Sequence, residues 1–125
     1  MIFIDASYLV ALAVRADALH GVAADWSRRA KGPFLTTEYV LIEFMNGLSA
    51  PKLRFRAHQL LAAVTRNESI RIIPASDAAF RDGVTLHAAR SDKSWSLTDC
   101  ISFNVMRADN VRDALTHDRH FEQAG

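Results

Sequence analysis

The sequence has a single cysteine, Cys100, so no disulfide can form within the chain. A protein that folds without disulfides suits a reducing compartment, and we expect the cytoplasm. The N-terminus lacks the basic segment of a signal peptide, and Asp5 interrupts its first apolar run. Long hydrophobic runs are also missing, because the run at residues 8–14 has seven residues and is far too short to span a bilayer. These absences favour a soluble cytoplasmic protein.

Neither sign of charge dominates, since there are 15 Lys and Arg residues and 14 Asp and Glu residues, and the net charge is +1. That balance argues neither for nor against binding of nucleic acid. The chain has no repeats, no low-complexity segment and no linker rich in proline, glycine or serine. Half of its 125 residues are apolar, which is enough for a hydrophobic core. We therefore expect one domain that spans residues 1–125.

Short apolar runs alternate with longer helical stretches along the whole chain. The predicted strands are residues 2–4, 34–36, 70–73 and a short segment within 111–116. The predicted helices are residues 6–16, 20–31, 38–48, 52–66, 77–90 and 96–107, with a last helical turn within 119–123. Alternating strands and helices are typical of βαβ units, so the sequence predicts an α/β fold. At its centre we expect a parallel sheet of four or five short strands, flanked by helices on both faces.

Two acidic residues stand where predicted strands end. Asp5 follows the first strand directly, and Asp118 follows the fourth. Because ligands bind at the carboxyl ends of strands in such sheets, both residues are candidates for one site. Glu43 is the only charge within the apolar stretch 39–45, and Glu38 lies roughly 140° away around the same helix. One of these glutamates can therefore be solvated while the other faces a cleft.

The fourth candidate, Asp99, also completes a capping box with Ser96 at the start of a helix. Each acid taken alone fits a helix cap, a turn or a solvated helix face equally well. Four carboxylates together are different, because two of them about 4 Å apart repel by roughly 4 kcal/mol at an effective dielectric of 20. Such a cluster needs a cation or raised pKa values. Oxygen ligands suit Mg²⁺ or Mn²⁺, and no Cys or His stands at zinc-binding spacing.

Four segments of the sequence resemble the four motifs of PIN-domain nucleases, and most of all the VapC-type toxins of bacterial and archaeal toxin–antitoxin pairs. They are residues 3–7, 37–43, 96–100 and 115–121, in family order and spacing. The resemblance implies that Asp5, Glu43, Asp99 and Asp118 are catalytic and bind metal, with Ser7 and Thr98 as polar support. Family members usually continue into a further short strand after the last motif, so we expect the sheet edge beyond the fourth strand to lack that strand.

The resemblance also implies an activity and a partner. The activity is hydrolysis of RNA by a Mg²⁺-dependent endoribonuclease, with Mn²⁺ able to substitute, leaving 5′-phosphate and 3′-hydroxyl ends. The metal lowers the pKa of a bound water and neutralises charge on the phosphate. The partner is a cognate antitoxin, which would make the protein the toxin of a type II system, as a homodimer or a toxin–antitoxin hetero-oligomer.

Three alternatives stay open at this point. A metal-independent ribonuclease could use His117 and His120 as an acid–base pair. A non-catalytic PIN module could bind RNA or protein only, although such a module is expected to lack some of the acids. A receiver-type phosphoacceptor domain needs an adjacent acidic pair after the first strand, which Asp5 followed by Ala6 does not supply.

A basic stretch follows the third predicted helix. Residues 47–67 contain no acid and include Lys52, Arg54 and Arg56, which are candidates for RNA binding. Phe55 stands among them and either stacks on a base or packs into the core.

The first two helices carry more apolar residues than a small sheet needs to cover. These residues are Tyr8, Leu9, Leu12, Val22 and Trp26. An amphipathic antitoxin helix could dock on them and direct an arginine or lysine into the acidic cluster. They could equally pack the core or a homodimer interface.

Overall fold

A computed structural model describes all 125 residues. Its strands are β1 (Ile2–Ile4), β2 (Phe34–Thr37), β3 (Ile70–Ile73) and β4 (Asp113–Leu115). They form one four-stranded parallel sheet in the order β3-β2-β1-β4. This confirms the predicted α/β fold with its parallel sheet, and β4 lies at the sheet edge.

Seven helices surround this sheet. They are α1 (Ala6–Ala13), α2 (His20–Arg29), α3 (Glu38–Gly47), α4 (Pro51–Arg66), α5 (Asp77–Ala89), α6 (Leu97–Ala108) and α7 (His120–Gln123). The sequence predicted each of them. The first was predicted too long, because the backbone becomes extended at Val14. Arg56 in α4 donates from Nε to the Ala13 carbonyl at 3.3 Å and so satisfies one of the free carbonyls at the end of α1.

Side-chain caps fix the starts of three helices. Thr37 accepts a hydrogen bond from the Val40 amide at 3.1 Å and begins α3 directly after β2. Ser76 caps α5 in the same way, and Ser96 caps α6. The first turns of α3, α5 and α6 are therefore positioned by hydrogen bonds that local sequence alone specifies.

The order in which strands are added to the sheet reverses at β1, although all four strands run parallel. The chain passes from β1 to β2 and β3 on one side, and then returns to place β4 on the other side of β1. Right-handed crossovers put the helices that precede β3 on one face and α5 and α6 on the other. Helix α1 contacts α2, α3 and α4, and α5 contacts α6, while α3 also contacts α6 and so connects the two groups. The gap between the carboxyl ends of β1 and β4 is thus a topological switch point, where such sheets bind ligands.

The main core is formed by residues of β1 and β2 together with residues of α1 to α4. Phe3, Leu35 and Phe44 are fully buried there, and each such side chain stabilises the fold by about 1.5–3 kcal/mol. Tyr8 and Leu9 belong to the same core, at 5% and 2% exposure. The prediction that they form part of a docking surface is therefore wrong, because α1 turns this side inward. No helix is long and apolar enough to cross a membrane.

A smaller aromatic cluster holds the C-terminal turn in place. Phe121 of α7 makes an edge contact with Phe103 of α6, with ring centroids 4.9 Å apart, and lies 6.1 Å from Phe3. Trp95 donates from its indole nitrogen to Gln123 at 3.1 Å. These contacts fix α7 against α6, and with it the residue that begins α7, His120.

Gly83 of α5 lies directly against Ile101 of α6. A Cβ at this position would overlap Cγ1 of Ile101, which is 2% exposed and has no room to move. Gly21 in α2 is different, because no atom lies within 4 Å of the place its Cβ would take. The two glycines thus allow a matched test of close helix packing.

We expect Gly83→Ala to lower the free energy of unfolding by roughly 1–3 kcal/mol, because overpacking outweighs the gain in helix propensity. Gly21→Ala should instead stabilise the protein by up to about 1 kcal/mol. Urea denaturation followed by circular dichroism measures both. A Gly83→Ala protein as stable as the wild type would show that α5 and α6 are not packed so closely.

Candidate metal centre

Asp5 occupies the switch point between β1 and β4. Its amide donates to the Leu115 carbonyl at 3.1 Å, which extends the β1–β4 ladder by one residue. Asp5 is the N-cap residue of α1, but its side chain makes no capping hydrogen bond. The carboxylate, only 3% exposed, is therefore available for another role.

Two hydroxyl groups fix the Asp5 carboxylate. Ser7 and Thr116 each donate to Oδ2 at 2.8 Å. The Ser7 hydroxyl also accepts from the His117 amide at 2.9 Å, and the Thr116 hydroxyl accepts from the Asp118 amide at 3.0 Å. The pair therefore links the end of β1 to the loop after β4 and sets the orientation of the carboxylate.

This arrangement places Ser7 where polar support was predicted and adds Thr116, which sequence reasoning missed. The available signal was its position: Thr116 follows β4 just as Asp5 follows β1. Thr98, the other predicted support residue, is partly buried in the first turn of α6 and makes no side-chain hydrogen bond.

Asp99 lies at the start of α6 and is 4% exposed. Its Oδ2 accepts from the Ser96 amide at 3.1 Å, and the Ser96 hydroxyl accepts from the Asp99 amide at 3.0 Å. The predicted capping box is therefore present. The same Oδ2 lies 2.9 Å from Nδ1 of His120, so the contacts of this carboxylate are concentrated on one oxygen.

Asp118 and His120 complete this side of the site. Asp118 Oδ1 accepts from the His120 amide at 2.9 Å and lies 3.2 Å from its Nδ1. Potential ligand atoms of Asp99, Asp118 and His120 all lie within 4.8 Å of one another. Sequence reasoning did not place His120 in the cluster. The only available signal was its position two residues after Asp118.

Glu43 lies on α3, and its side chain is exposed to solvent. Partial burial and then repulsion from Asp5, Asp99 and Asp118 raise the pKa of its carboxyl from 4.5 to about 7. The pKa of Asp5 is raised as well, chiefly by burial and further by Asp99, against the lowering effect of its hydroxyl partners. Glu43 therefore lies near enough to Asp5, Asp99 and Asp118 to feel the charge of all three.

Other predicted residues lie apart from the cluster, on α4. Lys52 is exposed, and Arg54 donates from Nε to the Ser49 carbonyl at 2.7 Å. Arg56 is partly buried, and its bond to Ala13 gives it a role within the fold. The alternative acid–base pair finds no support, because Nε2 of His117 is buried and Nδ1 of His120 contacts Asp99 and Asp118.

Comparison with known proteins defines the class to which this site belongs. The PIN domain family matches residues 2–125, so the chain belongs to the PIN-domain family. It is also similar along its whole length to the 23S rRNA-specific endonuclease VapC20 of Mycobacterium tuberculosis, in strains CDC 1551 and H37Rv. The identity is 27% over 125 residues, which cover 100% of this chain and 95% of each relative.

The structures agree with this relationship. The crystal structure of M. tuberculosis VapC20, described as a sarcin–ricin loop cleaving toxin, matches with a TM-score of 0.91 at 25% identity. The match covers 100% of this chain and 95% of that one. The predicted resemblance to VapC-type PIN proteins is confirmed, and the receiver-domain alternative is excluded.

The raised pKa of Glu43 predicts how the stability of the metal-free protein depends on pH. Between pH 4.5 and about 7 the folded protein holds a proton on Glu43 that the unfolded chain has lost. Stability therefore falls as the pH rises through this range and stays lower above it. Glu43→Gln should remove the penalty and raise the melting temperature at pH 8 by about 3–5 °C, allowing for solvent screening, with no gain at pH 4.5.

Glu38→Gln on the same helix is the matched control. Glu38 faces away from the cluster and accepts from the Ala75 amide, a role that glutamine can keep. Thermal melting in EDTA at both pH values measures the effect. A similar gain from both substitutions, or none from Glu43→Gln, would show that Glu43 does not feel the other three carboxylates.

Proposed function

We propose that this protein is a Mg²⁺-dependent endoribonuclease, in which Mn²⁺ can replace Mg²⁺. Asp5, Glu43, Asp99 and Asp118 are its catalytic carboxylates. The observation that carries the proposal is the grouping of these acids at the switch point, where partial burial and then repulsion from Asp5, Asp99 and Asp118 raise the pKa of Glu43 to about 7. Because repulsion among the carboxylates destabilises the metal-free site, the cluster favours the binding of a cation.

The donor set fits a hard divalent ion. It consists of carboxylate oxygens together with one histidine, and the only cysteine is buried in the aromatic cluster. Asp5, Asp99 and Asp118 would hold the metal, with Glu43 bound directly or through water. When bound, the ion supplies an activated water and neutralises charge that develops on the phosphate.

The remaining chemistry comes from the protein. Ser7 and Thr116 hold Asp5 in one orientation before the metal or RNA arrives, which reduces the cost of reorganisation. Glu43, whose side chain is exposed to solvent on α3, can orient the attacking water. His120 keeps Asp99 and Asp118 together.

The substrate class follows from the relatives. The similar protein VapC20 is named a 23S rRNA-specific endonuclease. For this chain we propose RNA as the substrate, and cleavage in the cytoplasm. A PIN module without activity is disfavoured because all four acids are present.

Activity tests the proposal directly. Purified wild-type protein should cleave ribosomal RNA with Mg²⁺ or Mn²⁺ and stop in EDTA, whereas Asp5→Asn should lose at least about 100-fold in rate because one preorganised charge is removed. Asp113→Asn should keep full activity, since Asp113 begins β4 at the opposite end from the site and is exposed. Cleavage that continues in EDTA would favour the histidine mechanism instead.

We also propose that the protein is the toxin of a type II toxin–antitoxin pair and is held inactive by a small antitoxin. The surface that remains for docking is on α2, where Leu19, Val22 and Trp26 are 42–49% exposed. An amphipathic partner helix could bind there. A basic residue of the partner could then occupy the acidic cluster in place of the metal, because any cation relieves the same repulsion.

Expression in cells tests this partnership. The wild-type protein expressed alone should arrest growth, and co-expression of the product of the neighbouring upstream gene should relieve the arrest. Asp5→Asn should be harmless in both settings. Val22→Asp combined with Trp26→Ala should leave toxicity intact and abolish relief, because only the docking surface changes. A harmless wild-type protein would contradict the toxin role.

A further inference from the structure

The outer side of α4 carries the most exposed large apolar side chain of the protein. Phe55 is 75% exposed, and the prediction that it packs into the core is wrong. The core side of α4 is formed instead by Ala57 and Val64, which are 1% and 6% exposed. Phe55 is much more exposed than the next large apolar residue, Ile42 at 54%, so the residues that share its side of the helix are of interest.

Those surroundings are basic. Counting by helical spacing, Lys52, His58, Gln59 and Arg66 lie on the same side of α4 as Phe55, and all of them are exposed. We call these five residues the α4 face. The face runs about 21 Å along the helix from Lys52 to Arg66, at roughly 1.5 Å per residue.

The cations of the α4 face have no intramolecular counter-charge. Neither Lys52 nor Arg66 takes part in any ion pair, and residues 47–67 contain no acid. Two unpaired cations that flank an exposed aromatic ring along one helix complement a polyanion whose units have flat π-faces. Single-stranded RNA has both properties.

We propose that the α4 face binds single-stranded RNA, with Phe55 stacked on a base and Lys52 and Arg66 in contact with phosphates. The proposal builds on the ribonuclease function and revises the predicted RNA-binding set. Lys52 stays in the set. Arg56 leaves it because its guanidinium is directed to the end of α1, where it binds Ala13.

Binding can be separated from cleavage in an Asp5→Asn protein kept in EDTA. The probe is a fluorescein-labelled, 20-nucleotide single-stranded RNA of mixed sequence, followed by fluorescence anisotropy. Phe55→Ala should raise Kd by about 5- to 150-fold, the range for loss of one stacked base. Phe55→Trp should keep the affinity and Phe55→Leu should not, because stacking needs an aromatic face rather than an apolar one.

Two further comparisons separate stacking from charge. Phe80→Ala on α5 removes another exposed phenylalanine, at 48% exposure, and should leave Kd unchanged. Lys52→Ala and Arg66→Ala should each lower the slope of log Kd against log salt by about 0.7, whereas Phe55→Ala should not alter the slope. Unchanged thermal melting of every variant shows that the fold is intact.

Failure of this proposal and failure of the ribonuclease function give different results. Equal Kd values for Phe55→Ala and the parent, or no binding by the parent, would overturn the α4 face. The proposal would also be overturned if Phe55→Ala kept its RNA affinity but no longer bound a co-expressed protein partner, because the surface would then bind protein. Wild-type protein that shows Phe55-dependent RNA binding but no Mg²⁺-dependent cleavage would overturn the proposed function and leave the α4 face standing.

Discussion

The repulsion among four carboxylates is the constraint on which the rest of the site depends. Two unit charges about 4 Å apart repel by roughly 4 kcal/mol at an effective dielectric of 20, a large share of the stability of a small protein. The fold must therefore hold these groups together against their own field. The four acids come from four separate parts of the chain, and each part is anchored to the fold by its own contacts.

Each acid is restrained by a different device. Asp5 extends the β1–β4 ladder and is held by two hydroxyls. Asp99 is fixed by the capping box of α6, and Asp118 by the turn that leads into α7. The aromatic contacts of Phe121 tie that turn to α6. Glu43 alone has no hydrogen-bond partner, and it is also the acid whose pKa is raised to about 7. It is thus the group best able to change its protonation when a cation arrives.

Much of this arrangement could be predicted from local patterns. The apolar runs gave the bounds of β1 and β3, and the hydroxyl caps Ser76 and Ser96 gave the starts of α5 and α6. Asp5 and Asp118 could be assigned to one edge of the sheet because the carboxyl ends of parallel strands all lie at the same edge. The contacts that were missed are those between segments distant in sequence. Thr116 and Asp5 are separated by 111 positions, and His120 and Asp99 by 21.

Local periodicity also leaves two faces of a helix equivalent until their partners are known. Tyr8 and Leu9 proved to be core, whereas Phe55 proved to be surface, and neither outcome follows from composition. The early end of α1 is likewise accompanied by a distant contact, since Arg56, 43 positions later, donates to the Ala13 carbonyl. What sequence could not supply was which side of each helix the sheet would cover.

Direct titration of the Glu43 carboxyl by carbon-detected NMR tests the central claim most closely. Without metal, the resonance should titrate with a pKa near 7. With saturating Mg²⁺, its pKa should fall toward or below the ordinary value, because the cation replaces the repulsion with attraction. An ordinary pKa near 4.5 that does not respond to Mg²⁺ would show that the four carboxylates do not form one cation-binding site.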